Sequence, residues 1–410
     1  MNDQDLSFDL VVAGGGMVGA ALACACTGKG LSVAVVEARE PRREWPKGEV
    51  DLRVSALSRA SQRILERLGA WQRIAELGAS PYREMRVWDA VGKGSIHFDS
   101  AELGEQDLGH IVENRAIQLA LWERLEAAGD VQLLCPARGA ELTLEDDSAC
   151  LDLADGRRVR AGLLVGADGR DSWVRDRAGI ATQGWLYDQQ AIVANVAIEK
   201  PHRETAWQRF LPTGPLAFLP LLDGRCAIVW SATESRVREL MAMDEPEFRR
   251  ELEQAIEGRL GAVGDTGPRA AFPLRLQHAK EYVRPHLALI GDAAHAVHPL
   301  AGQGVNLGFL DAAQLAEIIE DALAHRRDIG GLWALRRYER ARRGDNMLML
   351  GAMDGFKRLF SNSNLALAGL RSAGLIVADR LTPVKRLFMQ QALGLGADLP
   401  PLARAGSRQR

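Results

Sequence analysis

"FDLVVAGGGMVGAALACACTGKGLSVAVVE", residues 8–37, reads as strand, turn, helix, turn and strand. Residues 8–13 are mostly apolar and β-branched, as in a parallel strand buried on both faces. Gly14, Gly16 and Gly19 follow in G-x-G-x-x-G spacing. In that pattern the first glycine permits the tight turn and the second lets a pyrophosphate approach the backbone. The third lets the helix pack closely on the strand. The helix start then offers free N–H groups to phosphate oxygens. A second strand, 31–36, ends at Glu37, placing a carboxylate where it can accept hydrogen bonds from a ribose 2′-OH. The glycines alone are a weak signal. Strand, helix, second strand and acid in this order make the stretch a dinucleotide site. The acid disfavours a 2′-phosphate, which leaves FAD or NAD.

A flavoenzyme must also hold a tricyclic ring at the far end of its cofactor, so a second motif is expected downstream. "GDAAHAVHPLAGQGVNLG", residues 291–308, supplies one. It reads as the end of a strand (287–291), a loop, and a helix beginning near Gly304. A glycine-lined helix start presents amides and a positive dipole to negative charge. A reduced flavin carries such charge around N1 and its C2 carbonyl. The same stretch raises two rival readings. His295 and His298 are three residues apart near Asp292, which suggests a metal site or a His295–Asp292 proton relay. The loop setting, the proline after His298 and the lack of a full ligand set argue against metal, so none is expected. The plainer reading gives His295 a structural hydrogen bond within the loop.

Between these motifs, residues 140–167 form short strands, with a hairpin signal at Asp155-Gly156. "AGLLVGADG" is a buried strand ending at Asp168-Gly169, and "RDSWVRDRAGI" reads as a helix with Gly179 near its end. Asp168 is either a helix cap or a cofactor contact. Residues 186–275 look like an antiparallel unit with a hairpin at Asp223-Gly224 and a helix over 245–260.

A chain of 410 residues exceeds one ordinary core, so two domains or one large insertion are expected. The net charge of −3 argues against nucleic acid as a partner. The acidic start lacks the features of a secretory signal, and no uncharged apolar run is long enough to span a bilayer. Five scattered cysteines suit a reducing compartment, and Cys24 and Cys26 read as small core residues. The expected location is cytoplasmic, with peripheral contact at the inner face of the membrane.

"GGGMVGAALA", "GADGRDSWVR" and "GDAAHAVHPLAGQGVNLGFLD" together resemble the flavin-dependent aromatic hydroxylases related to para-hydroxybenzoate hydroxylase. "DLRVSALSRASQRILERLGAW" (51–71), "LGHIVENRAIQLALW" (108–122), "WLYDQQAIVANV" (185–196), "AWQRFLPTGPLAFLP" (206–220) and the segment 352–371 are similar to the ubiquinone-biosynthesis hydroxylases among them. The resemblance spans nearly the whole chain. It implies an α/β fold: a FAD-binding Rossmann-like domain of the glutathione reductase type, an inserted antiparallel β-sheet substrate domain, and C-terminal helices. The FAD-binding part would comprise 1–80, 101–185 and 276–345, the substrate part 81–100 and 186–275, and the helical region 346–410.

The resemblance also implies roles. Gly14, Gly16 and Gly19 would approach the pyrophosphate and Glu37 the adenosine ribose. Arg53 would lie near the flavin and Arg115 at the phosphate–ribose region. Asp168 would be tied to the nucleotide half, and Asp292 would bind ribityl or ribose hydroxyls. Pro299 would sit against the isoalloxazine. Gly302, Gln303, Gly304 and Asn306 would bring amides to the N1–C2 edge. No side chain is assigned as a catalytic base.

The implied activity is ring hydroxylation of a polyprenylated phenol or quinol with O2 and NAD(P)H, through a flavin C4a-hydroperoxide, at ring carbon C5. There is no second G-x-G-x-x-G unit, so NAD(P)H would bind transiently over the shared pocket. The alternatives are a flavin oxidase or dehydrogenase acting on another small aromatic, and a non-catalytic member of a ubiquinone-making complex. Residues 351–397 carry Lys357, Arg358, Arg371, Arg380, Lys385 and Arg386 against Asp354 and Asp379, mixed with apolar side chains. Packing on the main body is the plain reading. Contact with anionic lipid or with other ubiquinone-biosynthesis proteins is the functional one.

Overall fold

The computed structural model describes residues 5–92, 94–296 and 304–360, with 379, 385, 386, 389, 393, 394 and 398–405. The opening stretch forms strand β1 (Asp5–Ala13), helix α1 (Met17–Cys26) and strand β2 (Val33–Val36). β1 pairs in parallel with β2 on one side and with the strand Arg158–Gly166 on the other. Residues Leu10, Val11 and Val12 are fully buried, as expected of a central strand covered on both faces. Val131–Leu134 extends the sheet beyond β2, and Leu287–Leu289 extends it beyond Arg158–Gly166, both in parallel register. The Asp155-Gly156 turn closes the antiparallel pair Ala149–Leu153 and Arg158–Gly166.

A second sheet is mainly antiparallel. Its centre is the long strand Thr182–Ile198, flanked by Cys226–Thr233 and Ala270–Ala279. The Asp223-Gly224 turn joins Gly214–Pro220 to Cys226–Thr233. Two strands from far earlier in the chain complete this sheet: Glu84–Asp89 pairs in parallel with Thr205–Leu211, and Ser95–Asp99 pairs antiparallel with Glu84–Asp89 at the edge. The central strand begins at Thr182 and its neighbour runs to Ala279. The sheet therefore reaches further into the flanking sequence at both ends than the 186–275 pattern suggested.

Two helices differ from the sequence pattern. The segment after Asp168 is helical only over Trp173–Arg177, and the stretch near 245–260 only over Glu245–Ala255. The first is short because it starts late, under a Ser172 cap, and Gly179 at φ +66° ends it. A three-stranded sheet of Val54–Leu57, Gly109–Glu113 and Ala79–Tyr82 has no counterpart in the sequence reading.

Helix Gly304–Ala324 packs along α1. The approach needs glycine: a Cβ at Gly308 would lie 2.5 Å from Val18 Cγ2. Of the C-terminal charges proposed for lipid or protein contact, Arg371 and Arg380 lie outside the described residues, and Lys385 is buried, paired with Glu102 at 2.6 Å and Asp379 at 3.5 Å, in keeping with packing on the main body. No helix among the described residues is long and apolar enough to cross a membrane.

Candidate functional site

A crevice of about 920 Å³ opens between the two sheets, within the size range of ligand pockets. One end is the turn after β1. Gly14 has φ +109°, and a Cβ there would stand 2.5 Å from the Ala167 carbonyl oxygen. Only glycine meets both conditions. At Gly19 a Cβ would meet the Gly14 carbonyl oxygen at 2.0 Å, so this residue does not line the crevice but seats α1 on the turn. Gly16 lines the crevice at the head of α1, and a Cβ there would meet nothing within 4 Å. The turn is pinned from both sides of the Gly15 peptide. Its N–H donates to Glu37 Oε2 at 2.7 Å, and its carbonyl accepts from Trp122 Nε1 at 2.7 Å and Gln118 Nε2 at 3.0 Å. The other Glu37 oxygen accepts from the Arg39 amide at 3.0 Å.

Asp168 lines the crevice and also caps the short helix after it. Its carboxylate accepts from Ser172 Oγ at 2.5 Å and from the Val174 amide at 3.0 Å. The cap and cofactor readings therefore converge on one side chain. Burial raises its pKa, opposed by these hydrogen bonds.

Arg53 and Asp292 face the same crevice, as does Gly304 at the start of its helix. Asp292 is the one exposed residue of the loop Gly291–Ala296, and no described residue hydrogen-bonds its carboxylate. It opens on the crevice while protein surrounds its other sides. Burial raises its pKa, with Asp311 adding to the shift and His295, Arg170 and Arg53 opposing it.

His295 does not pair with Asp292. Its Nε2 lies 2.5 Å from Asp311 Oδ2, on the following helix. This replaces both the proton-relay reading and the expectation of a bond within the loop. His298, Pro299, Gly302 and Gln303 lie outside the described residues. No group of three His, Cys, Asp or Glu side chains suited to a metal ion occurs among the described residues.

Two further residues lie away from the crevice lining. Arg115 is buried beside Glu49 and Glu113, donating to each carboxylate at 2.7–2.8 Å, and it stacks on Trp45. Asn306 Nδ2 donates to the Ala56 carbonyl at 2.8 Å, while its Oδ1 accepts from Ser58 N and Ser61 Oγ. It ties the helix start to the three-stranded sheet and the helix Arg59–Arg67.

The sequence reading missed Arg138, Arg170 and Trp173, which line the crevice. It also missed Asp311 and Arg342. A signal for Asp311 existed: it falls in the buried stripe of its helix among Leu307, Gly308, Ala312 and Leu315, where a charge demands a partner. Burial pushes the thiols of Cys24 and Cys26 up to about 12, so neither serves as a thiolate.

The opposite wall comes from the second sheet: Ala191, Val193, Val229, Phe272 and Leu274. One end thus offers amides and a carboxylate, and the other an apolar face. FAD fits this distribution. The head of α1 has open space at Gly16 for a pyrophosphate, Glu37 retains acceptor capacity for a ribose, and Asp292 presents a carboxylate to the same crevice that no described residue hydrogen-bonds.

The family described as "FAD binding domain" matches residues 7–349. The chain is 40% identical over 391 residues to the 3-demethoxyubiquinol 3-hydroxylase of Escherichia coli K12, covering 94% of this chain and 98% of that protein. It is 41% identical over 403 residues to the ubiquinone hydroxylase UbiL of Rhodospirillum rubrum, covering 98% and 93%. The crystal structure of p-nitrophenol 4-monooxygenase PnpA from Pseudomonas putida shares the fold, with TM-score 0.77 at 20% identity over 96% of this chain and all of that one. The crevice geometry and these likenesses agree: the chain belongs to the FAD binding domain family, as one of the FAD-dependent aromatic hydroxylases of ubiquinone biosynthesis.

Proposed function

We propose that this protein hydroxylates the aromatic ring of a polyprenylated phenol or quinol, using O2 and reducing equivalents from NAD(P)H. The observation that carries this reading is the shape of the crevice. Its lining brings the turn at Gly14–Gly16, Asp292 and Gly304 together with an apolar wall suited to an aromatic ring. The names of the relatives support the substrate class: one is a 3-demethoxyubiquinol 3-hydroxylase and one a ubiquinone hydroxylase.

FAD, when bound, supplies the redox chemistry that joins O2 to an electron-rich ring. The residues of the chain bind and orient. Amides at the head of α1 would hold the pyrophosphate, with Glu37 accepting from the adenosine ribose. Asp292 would accept from hydroxyls of the central chain. The helix beginning at Gly304 would place its positive end where negative charge develops on reduction, a preorganised electrostatic contribution. The apolar wall would keep water from a ring bound against it. The described crevice lining contains no histidine, lysine or tyrosine. An electron-rich ring does not require a side-chain base. NAD(P)H would bind transiently over the same crevice.

The ring carbon is the finer question. The sequence resemblance led to C5, whereas the E. coli relative is named a 3-hydroxylase of a demethoxyubiquinol. The structure of the quinone precursor that accumulates without this protein separates the two positions. The reaction type is tested with labelled O2. The product should carry one labelled oxygen per turnover; unlabelled product with hydrogen peroxide would make the protein an oxidase. A purified chain that FAD cannot turn yellow would make it a scaffold. Asp292→Ala should fold but remain largely flavin-free, and full FAD occupancy in that variant would refute the assignment of Asp292.

A further inference from the structure

Behind the crevice lies a buried polar chain that the reaction itself does not use. Asp311 is fully buried, His295 is 1% exposed, and Arg342 is 4% exposed. One Asp311 oxygen accepts from the Gly291 amide at 3.0 Å and faces His295 Nε2 at 2.5 Å. The other accepts from Arg342 Nε at 2.9 Å and Asn346 Nδ2 at 3.2 Å. A single carboxylate therefore grips the loop on both sides of Asp292.

The remaining loop residues are tied as well. The Ala293 carbonyl accepts from Arg175 Nη1 at 3.2 Å, and the Ala294 carbonyl from the Ala279 amide at 2.7 Å. His295 and Ala296 pair with His278 and Gln277 of the second sheet. Asp292 is left as the one exposed residue between clamped neighbours. We propose that Arg342, Asp311 and His295 form a buried positioning chain that fixes the loop Gly291–Ala296 and holds the Asp292 carboxylate at the cofactor crevice.

The chemistry favours a role beyond filling the core. An ion pair buried this deeply is costly to desolvate, and an apolar cluster of equal volume often serves stability as well. What charge adds is direction. Asp311 binds the imidazole through Nε2, which orients the ring and leaves Nδ1 buried with no hydrogen-bond partner among the described residues. Several groups face this chain. His278 and Tyr282 stand on the second-sheet side, and Arg342, Arg343 and Asn346 on the long helix Leu332–Phe360. Asp292, Arg170 and Arg53 lie on the crevice side. Of the groups that favour the ionised form of Asp292, His295 is the foremost. The chain therefore influences Asp292 both by geometry and by charge.

This inference rests on the reading of Asp292 as a FAD contact, and the test separates the two. FAD affinity of the cofactor-stripped full-length chain is measured by flavin-fluorescence titration across about pH 5–8. The proteins are the wild type, His295→Gln, Asp292→Asn and the double variant, with far-UV circular dichroism to establish folding. We expect His295→Gln to weaken FAD binding about tenfold, and by less than about twofold when Asp292 is already asparagine. The acid limb of binding should also move to higher pH in His295→Gln and should be absent from the Asp292→Asn background. Additive losses with an unchanged pH profile would overturn the proposal and leave the chain as core packing. Wild-type affinity in Asp292→Asn would instead refute the Asp292 reading itself. Should His295→Gln fail to fold, Arg342→Lys enters the same cycle. It keeps the charge while losing the Nε bond, and the same non-additivity is required of it.

Discussion

The Glu37 carboxylate accepts a hydrogen bond from the Gly15 amide at 2.7 Å, so the acid at the end of β2 is bonded directly to the turn after β1. Its role thus begins before any ligand arrives: it shapes the turn as well as lining the crevice. Glu37→Ala should weaken FAD binding by about tenfold or more, the loss of one charge-assisted hydrogen bond. Glu37→Gln, which still accepts from Gly15, should retain more of the affinity. Flavin-fluorescence titration of both variants measures the difference.

Gly14 and Gly16, two residues apart, should respond in opposite ways to alanine. At Gly14 the new methyl would meet the Ala167 carbonyl at a φ of +109°, and the expected cost is about 2–4 kcal/mol of stability. At Gly16 the methyl meets no protein atom and projects at the head of α1 into the crevice. Gly16→Ala should melt near the wild-type temperature and lose FAD affinity. Thermal melts of cofactor-free protein, paired with titrations, distinguish the two.

Helix contact between α1 and Gly304–Ala324 rests on Gly308. A methyl there would stand 2.5 Å from Val18 Cγ2, so Gly308→Ala should cost about 1–3 kcal/mol. Val18→Ala in the same chain should recover part of that loss, because it removes the atom in the way. Denaturant unfolding of the single and double variants gives the coupling.

Acid should destabilise the protein in two windows. His278 is held down at about 4, by burial first and then by His295 and Arg343. The unfolded chain therefore takes up this proton earlier, and stability falls between about pH 6.5 and pH 4. Burial works against ionisation of Asp311, yet the His295 and Arg342 charges and hydrogen bonds outweigh it and bring the pKa to about 2. Its contribution is fully present above about pH 4 and is lost as pH falls through about 2. His278→Gln should flatten the upper window alone, and Asp311→Asn the lower one. Chemical denaturation at a series of pH values tests both.

Elements written in local chemistry were legible. The βαβ unit of 8–37, the turns at Asp155-Gly156 and Asp223-Gly224 and the helix start at Gly304 each depend on neighbours within a few residues. The three-stranded sheet was not legible, since Val54–Leu57 finds its partner at Gly109–Glu113, and no short-range pattern specifies that pairing. The same limit applies within the site. Gly14, Gly16, Glu37, Asp168, Asp292 and Gly304 line the crevice because their motifs are local. The partner of His295 lies on another element, and its nearest acid in sequence, Asp292, turns the other way. Arg115 and Asn306 are engaged with protein groups that only the folded chain brings to them.

β1 sits between β2 and a strand from far downstream: Asp5 pairs with Arg158, and Arg158–Gly166 is bordered in turn by Leu287–Leu289. On a ribosome adding roughly 5–20 residues each second, the phosphate turn would emerge many seconds before the loop that carries Asp292. Contacts this remote in sequence close slowly. The crevice is thereby completed only after synthesis has passed Asp292 and Gly304, and β1 and β2 stay without their full sheet throughout that interval.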